Sequence, residues 1–130
     1  MQASLDHHVL VVDDDPVIVR LLELNFRLGG FRVSTATRGD LALERAVELA
    51  PDAIVLDVTM PGIDGYEVCR RLHEHRAMTG VPIFLLTAHA RDEGPARGYA
   101  PGVVAYVTKP FDPEALVGTV RRSLEPEKAP

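Results

Sequence analysis

The feature that most constrains the fold is an unbroken apolar run, Ala53–Leu56, which ends in the single carboxylate of Asp57. Hydrophobicity without polar alternation is typical of a strand buried on both faces in the middle of a parallel sheet. A loop punctuated by Pro61, Gly62 and Gly65 follows and must end that strand. In open α/β sheets, ligands bind just outside the carboxyl ends of the strands. Asp57 is therefore predicted to stand at a binding or reaction site.

Four further segments have the composition of short strands, and helical patterns separate them. The other predicted strands are His8–Val12, Phe31–Thr35, Val81–Thr87 and Val103–Thr108. The expected helices cover about Pro16–Leu28, Gly39–Ala50, Tyr66–His75, part of Ala88–Pro101, and Pro113–Leu124. Five strands alternating with five helices predict an α/β fold, a doubly wound five-stranded parallel sheet joined by right-handed crossovers.

The helix expected in Ala88–Pro101 is the weakest of the five. Gly94, Pro95 and Gly98 all fall within it, and interior Gly costs ~1 kcal/mol and interior Pro ~3 kcal/mol relative to Ala. By contrast, Asp15 before Pro16 and Asp112 before Pro113 are strong helix-start signals. We expect Asp15 to act as a helix cap rather than as a ligand, and the sequence leaves the conformation of Gly94–Val104 open.

Length and charge limit the class of protein to which this sequence can belong. The 130 residues predict one domain, with a core over about 8–124 and a polar tail over 125–130. A net charge of −5 without a basic patch predicts no direct contact with nucleic acid. Cys69 is the single cysteine and is expected to be a buried structural thiol, and His7, His8, His73 and His75 are expected at the surface. With no leader-like segment and no apolar run near the ~18 residues of a membrane span, we expect a cytoplasmic protein without membrane contact.

Polar side chains follow four of the predicted strands, where a parallel sheet would bring them to one edge. They are Asp13 and Asp14, Asp57, Thr87, and Lys109. Clustered carboxylates repel one another unless a cation joins them, and Mg²⁺ prefers oxygen ligands of this kind. Phosphoryl transfer needs mainly positioning and charge neutralisation, which Mg²⁺, Lys109 and Thr87 would supply around an attacking carboxylate. The pattern predicts a phosphoryl acceptor at Asp57.

Four motifs in this order resemble the receiver domain of response regulators in two-component signalling, the chemotaxis regulators among them. The resemblance covers roughly His8 to Leu124, and the motifs are Val11–Asp15, Leu56–Gly65, Leu86–Ala88 and Tyr106–Phe111. It implies a flavodoxin-like sheet with strand order 2-1-3-4-5.

The resemblance also implies roles for single residues. A sensor histidine kinase or a histidine phosphotransfer protein would phosphorylate Asp57. Asp14, Asp57 and the backbone carbonyl of Thr59 would ligate Mg²⁺, with Asp13 acting mainly through a water molecule. Thr87 and Lys109 would hold the phosphoryl oxygens. A cis Lys109–Pro110 bond is usual in the family.

Family members switch when the threonine moves toward the phosphate and the aromatic residue at the Tyr106 position turns inward. This reshapes a surface read by a downstream protein, here unknown. Val104 and Ala105 stand where many such domains carry the acidic residues of dimer salt bridges, which argues against the usual symmetric dimer. The expected protein is not an enzyme, beyond its own phosphorylation and dephosphorylation.

Two alternatives remain open from the sequence. A haloacid-dehalogenase-like phosphatase also combines Asp, Mg²⁺, Thr and Lys, but it needs a second acid two residues after the nucleophile, where this chain has Thr59. A flavin- or nucleotide-binding flavodoxin-like module needs a first turn that accepts phosphate, and the Asp-rich turn at 13–15 would repel it.

Overall fold

The computed structural model describes residues 6–88 and 100–125, which contain five strands and four α-helices. The strands are β1 (His8–Val12), β2 (Arg32–Ala36), β3 (Ala53–Asp57), β4 (Ile83–Thr87) and β5 (Val103–Thr108). The helices are α1 (Pro16–Leu28), α2 (Gly39–Leu49), α3 (Gly65–His73) and α4 (Pro113–Leu124), with a short 3₁₀ helix at Arg76–Met78.

All strand pairs are parallel, and the sheet order is β2-β1-β3-β4-β5. The three central strands are buried throughout, as their continuous apolar sequences predict, whereas the edge strands β2 and β5 are partly exposed. The predicted fold class and strand order are confirmed.

The sheet separates two apolar layers, because successive strand residues point to opposite faces. One layer packs strand residues such as Leu56 and Leu85 against α2 and α3, and Tyr106 packs against it. The other packs residues such as Val55 and Leu86 against α1 and α4.

Aspartates begin three of the four described helices. The carboxylates of Asp15, Asp64 and Asp112 each accept a backbone N–H of the helix that follows, and Pro16 and Pro113 occupy the first turns of α1 and α4. The predicted capping role of Asp15 is confirmed. Asp64, in the loop before Gly65, caps α3 in the same way.

Several boundaries differ from the sequence predictions. The helix predicted within Ala88–Pro101 falls largely on residues 89–99, outside the described residues, so four helices are described where five were expected. β4 begins at Ile83 instead of Val81, because Pro82 has no N–H to donate to a neighbouring strand. Of the segment Gly94–Val104, the described part includes a turn at Gly102, with φ of 82°, and the start of β5.

The prediction that His8 lies at the surface was wrong. His8 begins β1, which is covered on both faces, and its Nε2 lies 2.8 Å from the Ser34 hydroxyl. Burial lowers the pKa of His8, and the Arg32 charge adds to that effect. Cys69 is buried as predicted, and burial raises the pKa of its thiol to about 12. Within the described residues no helix is both long and apolar enough to cross a bilayer.

Candidate functional site

The carboxyl edge of the sheet gathers the polar residues that the sequence analysis singled out. Asp13 directly follows β1, Asp57 ends β3, Thr87 ends β4 and Lys109 directly follows β5. Backbone bonds fix these ends to one another, since the Lys109 N–H donates to the Thr87 carbonyl at 2.8 Å and the Val58 N–H to the Leu86 carbonyl at 2.9 Å.

Three carboxylates meet at this edge. Asp13, Asp14 and Asp57 each offer an oxygen within 4.8 Å of the others' oxygens. Asp13 and Asp57 are buried, whereas Asp14 is exposed, so the group opens to solvent on one side. This set of oxygens fits Mg²⁺, which binds through one or two carboxylates and keeps several waters.

Lys109 already pairs with two of these carboxylates. Its Nζ lies 3.0 Å from Oδ2 of Asp13 and 3.1 Å from Oδ1 of Asp57. Burial by itself would lower the pKa of Lys109, but the hydrogen bonds to Asp13 and Asp57 outweigh it and raise that pKa. The Lys109–Pro110 bond is cis, as the resemblance implied. Lys109 is therefore a charged ammonium group held against the carboxylate of Asp57.

The surroundings of Asp57 favour the protonated, neutral form of its carboxyl group. Burial raises its pKa to about 6, and the nearby charge of Asp13 adds to the increase. Lys109 and the backbone N–H of Thr59, which donates to the Asp57 carboxyl group, act in the opposite direction. A carboxylate in this environment gains stability from any added positive charge.

The turn after β1 is organised by Asp13. Its Oδ1 accepts the Asp15 N–H at 2.9 Å, and its own N–H donates to the Ala36 carbonyl at 3.2 Å. Asp15 in turn caps α1 through the N–H of Val17. Asp13 and Asp15 thus have structural bonds, whereas the exposed Asp14 lies beside Asp57.

The remaining predicted residues lie close to this group. Thr59 is exposed, and its backbone N–H donates a hydrogen bond to the Asp57 carboxyl group. Thr87 is buried at the end of β4, opposite Thr108. Tyr106 is half-buried in β5, opposite Leu85. The metal-ligand role of the Thr59 carbonyl and the switching roles of Thr87 and Tyr106 remain predictions.

α1 carries an exposed apolar stripe that was not among the sequence predictions. Its members are between 38% and 86% exposed and are Val17, Leu21, Leu24 and Leu28. A groove of about 310 Å³ lies beside it, lined by Ile18, Leu21, Lys109, Pro110 and Phe111. The signal was present in the sequence: α1 repeats apolar residues at 4-3-4 spacing in addition to its buried residues Val19, Leu22 and Phe26.

Comparison with known proteins agrees with this geometry. Residues 9–121 match the family model of the response regulator receiver domain. The transcriptional regulator RpaA of Synechocystis, described as a DNA-binding dual master regulator, is 37% identical over 116 residues, which are 89% of this chain and 48% of RpaA. The chain spans about half the length of the curated relatives that it matches.

Solved structures agree as well. The chemotaxis response regulator CheY4 of Vibrio cholerae has a TM-score of 0.84 and 32% identity, over 91% of this chain and 98% of that one. The receiver domain of the sensor histidine kinase PA1611 of Pseudomonas aeruginosa, with a magnesium ion in its active-site cleft, has a TM-score of 0.80 and 30% identity, over 92% and 98% of the two chains. The chain belongs to the response regulator receiver domains of two-component systems.

Proposed function

We propose that this domain accepts a phosphoryl group on Asp57 from a sensor histidine kinase or a histidine phosphotransfer protein, and that the modification switches a surface read by a downstream protein. One observation carries the proposal: the buried Asp57 carboxylate lies 3.1 Å from the Lys109 ammonium group and close to the carboxylates of Asp13 and Asp14. The Lys109 ammonium group would neutralise phosphoryl charge at the proposed acceptor, and the neighbouring carboxylates would hold a cation that does the same.

In the proposed reaction a carboxylate oxygen of Asp57 attacks the phosphorus atom of a phosphohistidine. A P–O bond forms, the P–N bond breaks, and its electron pair stays on the imidazole nitrogen, which then takes up a proton. Lys109 would move from the Asp57 carboxylate to a phosphoryl oxygen, and the Thr87 hydroxyl would donate to another. Because the bond is formed by positioned groups, no further covalent help from the protein is needed.

Mg²⁺ is the proposed cofactor. Asp13, Asp14, Asp57 and the Thr59 carbonyl would hold it, with Asp13 acting mainly through water. When bound, the ion would neutralise the crowded carboxylates and the developing phosphoryl charge. The raised pKa of Asp57 supports this role, since a carboxylate short of positive charge is a favourable ligand for a cation.

The switch is proposed to run through Thr87 and Tyr106. A phosphoryl group on Asp57 would attract the Thr87 hydroxyl, and Tyr106 would follow inward along β5. Phosphorylation would thus shift the population between two packings by adding charge-assisted contacts.

The apolar stripe on α1 is the proposed docking surface of the phosphoryl donor. The groove beside the stripe is lined by Leu21 and Lys109, so a protein seated there would stand next to Asp57. Exposed apolar residues in a contiguous patch mark interaction sites. Arg20, an exposed arginine next to the stripe, favours a donor surface with an acidic residue beside its apolar ones, whereas Arg27 is already paired with Glu23 at 3.0 Å.

Other functions fit less well. The phosphatase alternative is not favoured, since Thr59 stands where its second acid is needed. We therefore propose that catalysis is limited to the domain's own phosphorylation and dephosphorylation, in the cytoplasm. Relatives such as RpaA are named as DNA-binding, but this chain spans about half of RpaA and carries a net charge of −5, so no direct nucleic-acid contact is proposed for it.

The test is to incubate the protein with Mg²⁺ and acetyl phosphate and follow its intact mass. We expect a gain of one phosphoryl group in the wild type and none in Asp57→Ala. Rapid turnover of phosphomonoesters without a lasting adduct would instead support the phosphatase. Transfer from a panel of phosphorylated kinases, read over short times, would identify the donor.

A further inference from the structure

Gly39 packs directly against the loop between β3 and α3. It is buried at the start of α2. A Cβ atom at this position would lie 2.5 Å from Cγ1 of Ile63 and 2.9 Å from the Ile63 carbonyl oxygen. Because the second contact is with backbone, a side chain at Gly39 would displace the loop itself and not merely turn a flexible side chain.

The two ends of this loop are fixed, so it has little freedom to absorb such a displacement. At its start the Val58 N–H donates to the Leu86 carbonyl at 2.9 Å. At its end the Gly65 N–H donates back to the Val58 carbonyl at 2.8 Å, and a Cβ at Gly65 would lie 2.6 Å from the Asp57 carbonyl oxygen. A displacement of Ile63 would therefore be taken up between Val58 and Asp64.

That interval contains the backbone group that touches the acceptor. The Thr59 N–H donates to the Asp57 carboxyl group, and the next peptide plane carries the Thr59 carbonyl, a proposed Mg²⁺ ligand. The position of the loop thus sets both groups relative to Asp57. Small shifts of such supporting groups weaken metal sites and active sites that depend on fixed geometry.

We propose that Gly39 is a positioning residue for the phosphoacceptor site: by packing on Ile63 without a side chain, it holds the Thr59 backbone against Asp57. The inference rests on the proposed function, because the groups that it positions are those proposed to bind Mg²⁺ and the phosphoryl group. Gly39 itself would touch neither of them.

The experiment compares Gly39→Ala with Gly80→Ala, a matched substitution at a glycine whose added Cβ would have no neighbour within 4 Å. The readouts are the Thr59 amide resonance in the metal-free protein, Mg²⁺ affinity by calorimetry, and the rate of phosphorylation by acetyl phosphate. In Gly39→Ala we expect a shifted Thr59 resonance and a loss of about tenfold or more in both affinity and rate. Gly80→Ala is expected to match the wild type in all three.

The contact with Ile63 can be tested separately. Gly39→Ala/Ile63→Ala removes the clash with the Ile63 side chain but keeps the clash with the Ile63 carbonyl oxygen, so its Mg²⁺ affinity should stay well below that of the wild type; full recovery would overturn the proposal that Gly39 acts through the loop backbone. If Gly39→Ala does not fold, Ile63→Ala alone loosens the same contact and should shift the Thr59 resonance and weaken Mg²⁺ binding.

Wild-type values in a folded Gly39→Ala, or in Ile63→Ala when Gly39→Ala does not fold, would overturn the proposal. Failure of the proposed function has a different signature, since the wild type would then gain no phosphoryl group at Asp57.

Discussion

The ammonium nitrogen of Lys109 lies 3.1 Å from Oδ1 of Asp57, so the proposed acceptor and the lysine proposed to hold the phosphoryl group are paired before any phosphoryl group arrives. Phosphorylation would exchange one partner of Lys109 for another instead of recruiting a distant side chain. The same lysine contacts Asp13 at 3.0 Å, which keeps it in place during the exchange.

Removal of this cation should make Asp57 harder to ionise. In Lys109→Met we expect the pKa of Asp57 to rise further above about 6, because burial and the Asp13 charge would act without the lysine to oppose them. Phosphorylation by acetyl phosphate should slow by about tenfold or more. The carboxyl carbon resonance of Asp57 reports its pKa, and Arg122→Met, at an exposed arginine, is the control. An unchanged Asp57 titration would contradict the electrostatic account.

Neutralising the acceptor should stabilise the metal-free protein at alkaline pH. The folded-state pKa of Asp57, about 6, is above the unfolded value of 3.8. The stability that its proton contributes is therefore fully present below about pH 4 and is lost as pH rises through about 6. At about pH 8 we expect Asp57→Asn to increase the free energy of unfolding by about 1 to 3 kcal/mol, with a smaller gain at about pH 5.

Urea denaturation with a chelator present measures this difference, and Glu48→Gln, at an exposed carboxylate on α2, is the control. Excess Mg²⁺ should reduce the gain, because the ion would stabilise the charged carboxylate of the wild type alone. Equal stability of Asp57→Asn and the wild type at both pH values would refute the prediction.

Asp14 should contribute more to Mg²⁺ affinity than Asp15 does. In Asp14→Asn we expect the affinity to fall by about tenfold or more, since one of three grouped carboxylates loses its charge. Asp15→Asn is the matched control, because asparagine also caps helices well and Asp15 bonds to α1. Calorimetric titration with Mg²⁺ would disprove the ligand assignment if both variants bound it equally well.

The buried histidine should make stability depend on pH in the opposite direction to Asp57. Burial lowers the pKa of His8 below 6.5, so the folded state favours the neutral ring. As pH falls through about 6.5, the unfolded chain takes up the proton first and stability is lost. His8→Gln should remove this part of the acid sensitivity, as measured by urea denaturation at about pH 7.5 and pH 5.5. His73→Gln, at an exposed histidine, should retain it.

The α1 stripe should affect the rate of phosphoryl transfer from a protein donor and not the rate of phosphorylation by acetyl phosphate. Leu24→Ala is expected to slow transfer from a phosphorylated kinase by about tenfold, as truncation of an interface residue does when it costs more than ~1 kcal/mol. Phosphorylation by acetyl phosphate should be unchanged. Val47→Ala on α2 is the matched control, since Val47 is 47% exposed and Leu24 is 49% exposed. If Leu24→Ala slowed phosphorylation equally with both donors, the substitution would be acting on the site around Asp57, and the docking role of the stripe would be contradicted.

Much of the fold could be predicted because local signals and the global arrangement agree. The run Ala53–Leu56 identified a central strand, and the caps Asp15 and Asp112 fixed the starts of α1 and α4. The gathering of Asp13, Asp57, Thr87 and Lys109 followed from the rule that parallel strands end at one edge. The strand order came from the resemblance to receiver domains and not from the pattern.

What the sequence could not supply depends on contacts between distant segments. Gly39 has no local signal of importance, because its close contact with Ile63 exists only once α2 packs beside the β3–α3 loop. The burial of His8 depends on the position of β1 inside the sheet, paired with β2 on one side and β3 on the other. The strand-end rule predicted that Lys109 and Asp13 would lie at one edge of the sheet, but not that they would form an ion pair at 3.0 Å.

The division of the core by the sheet has a consequence for signalling. α1 belongs to one apolar layer, whereas Tyr106 packs against the other. A phosphoryl donor bound to α1 and a target protein bound at the surface around Tyr106 would therefore contact opposite faces of the sheet. The two partners would not compete for one surface. The domain could therefore bind its target while the phosphoryl donor is still bound.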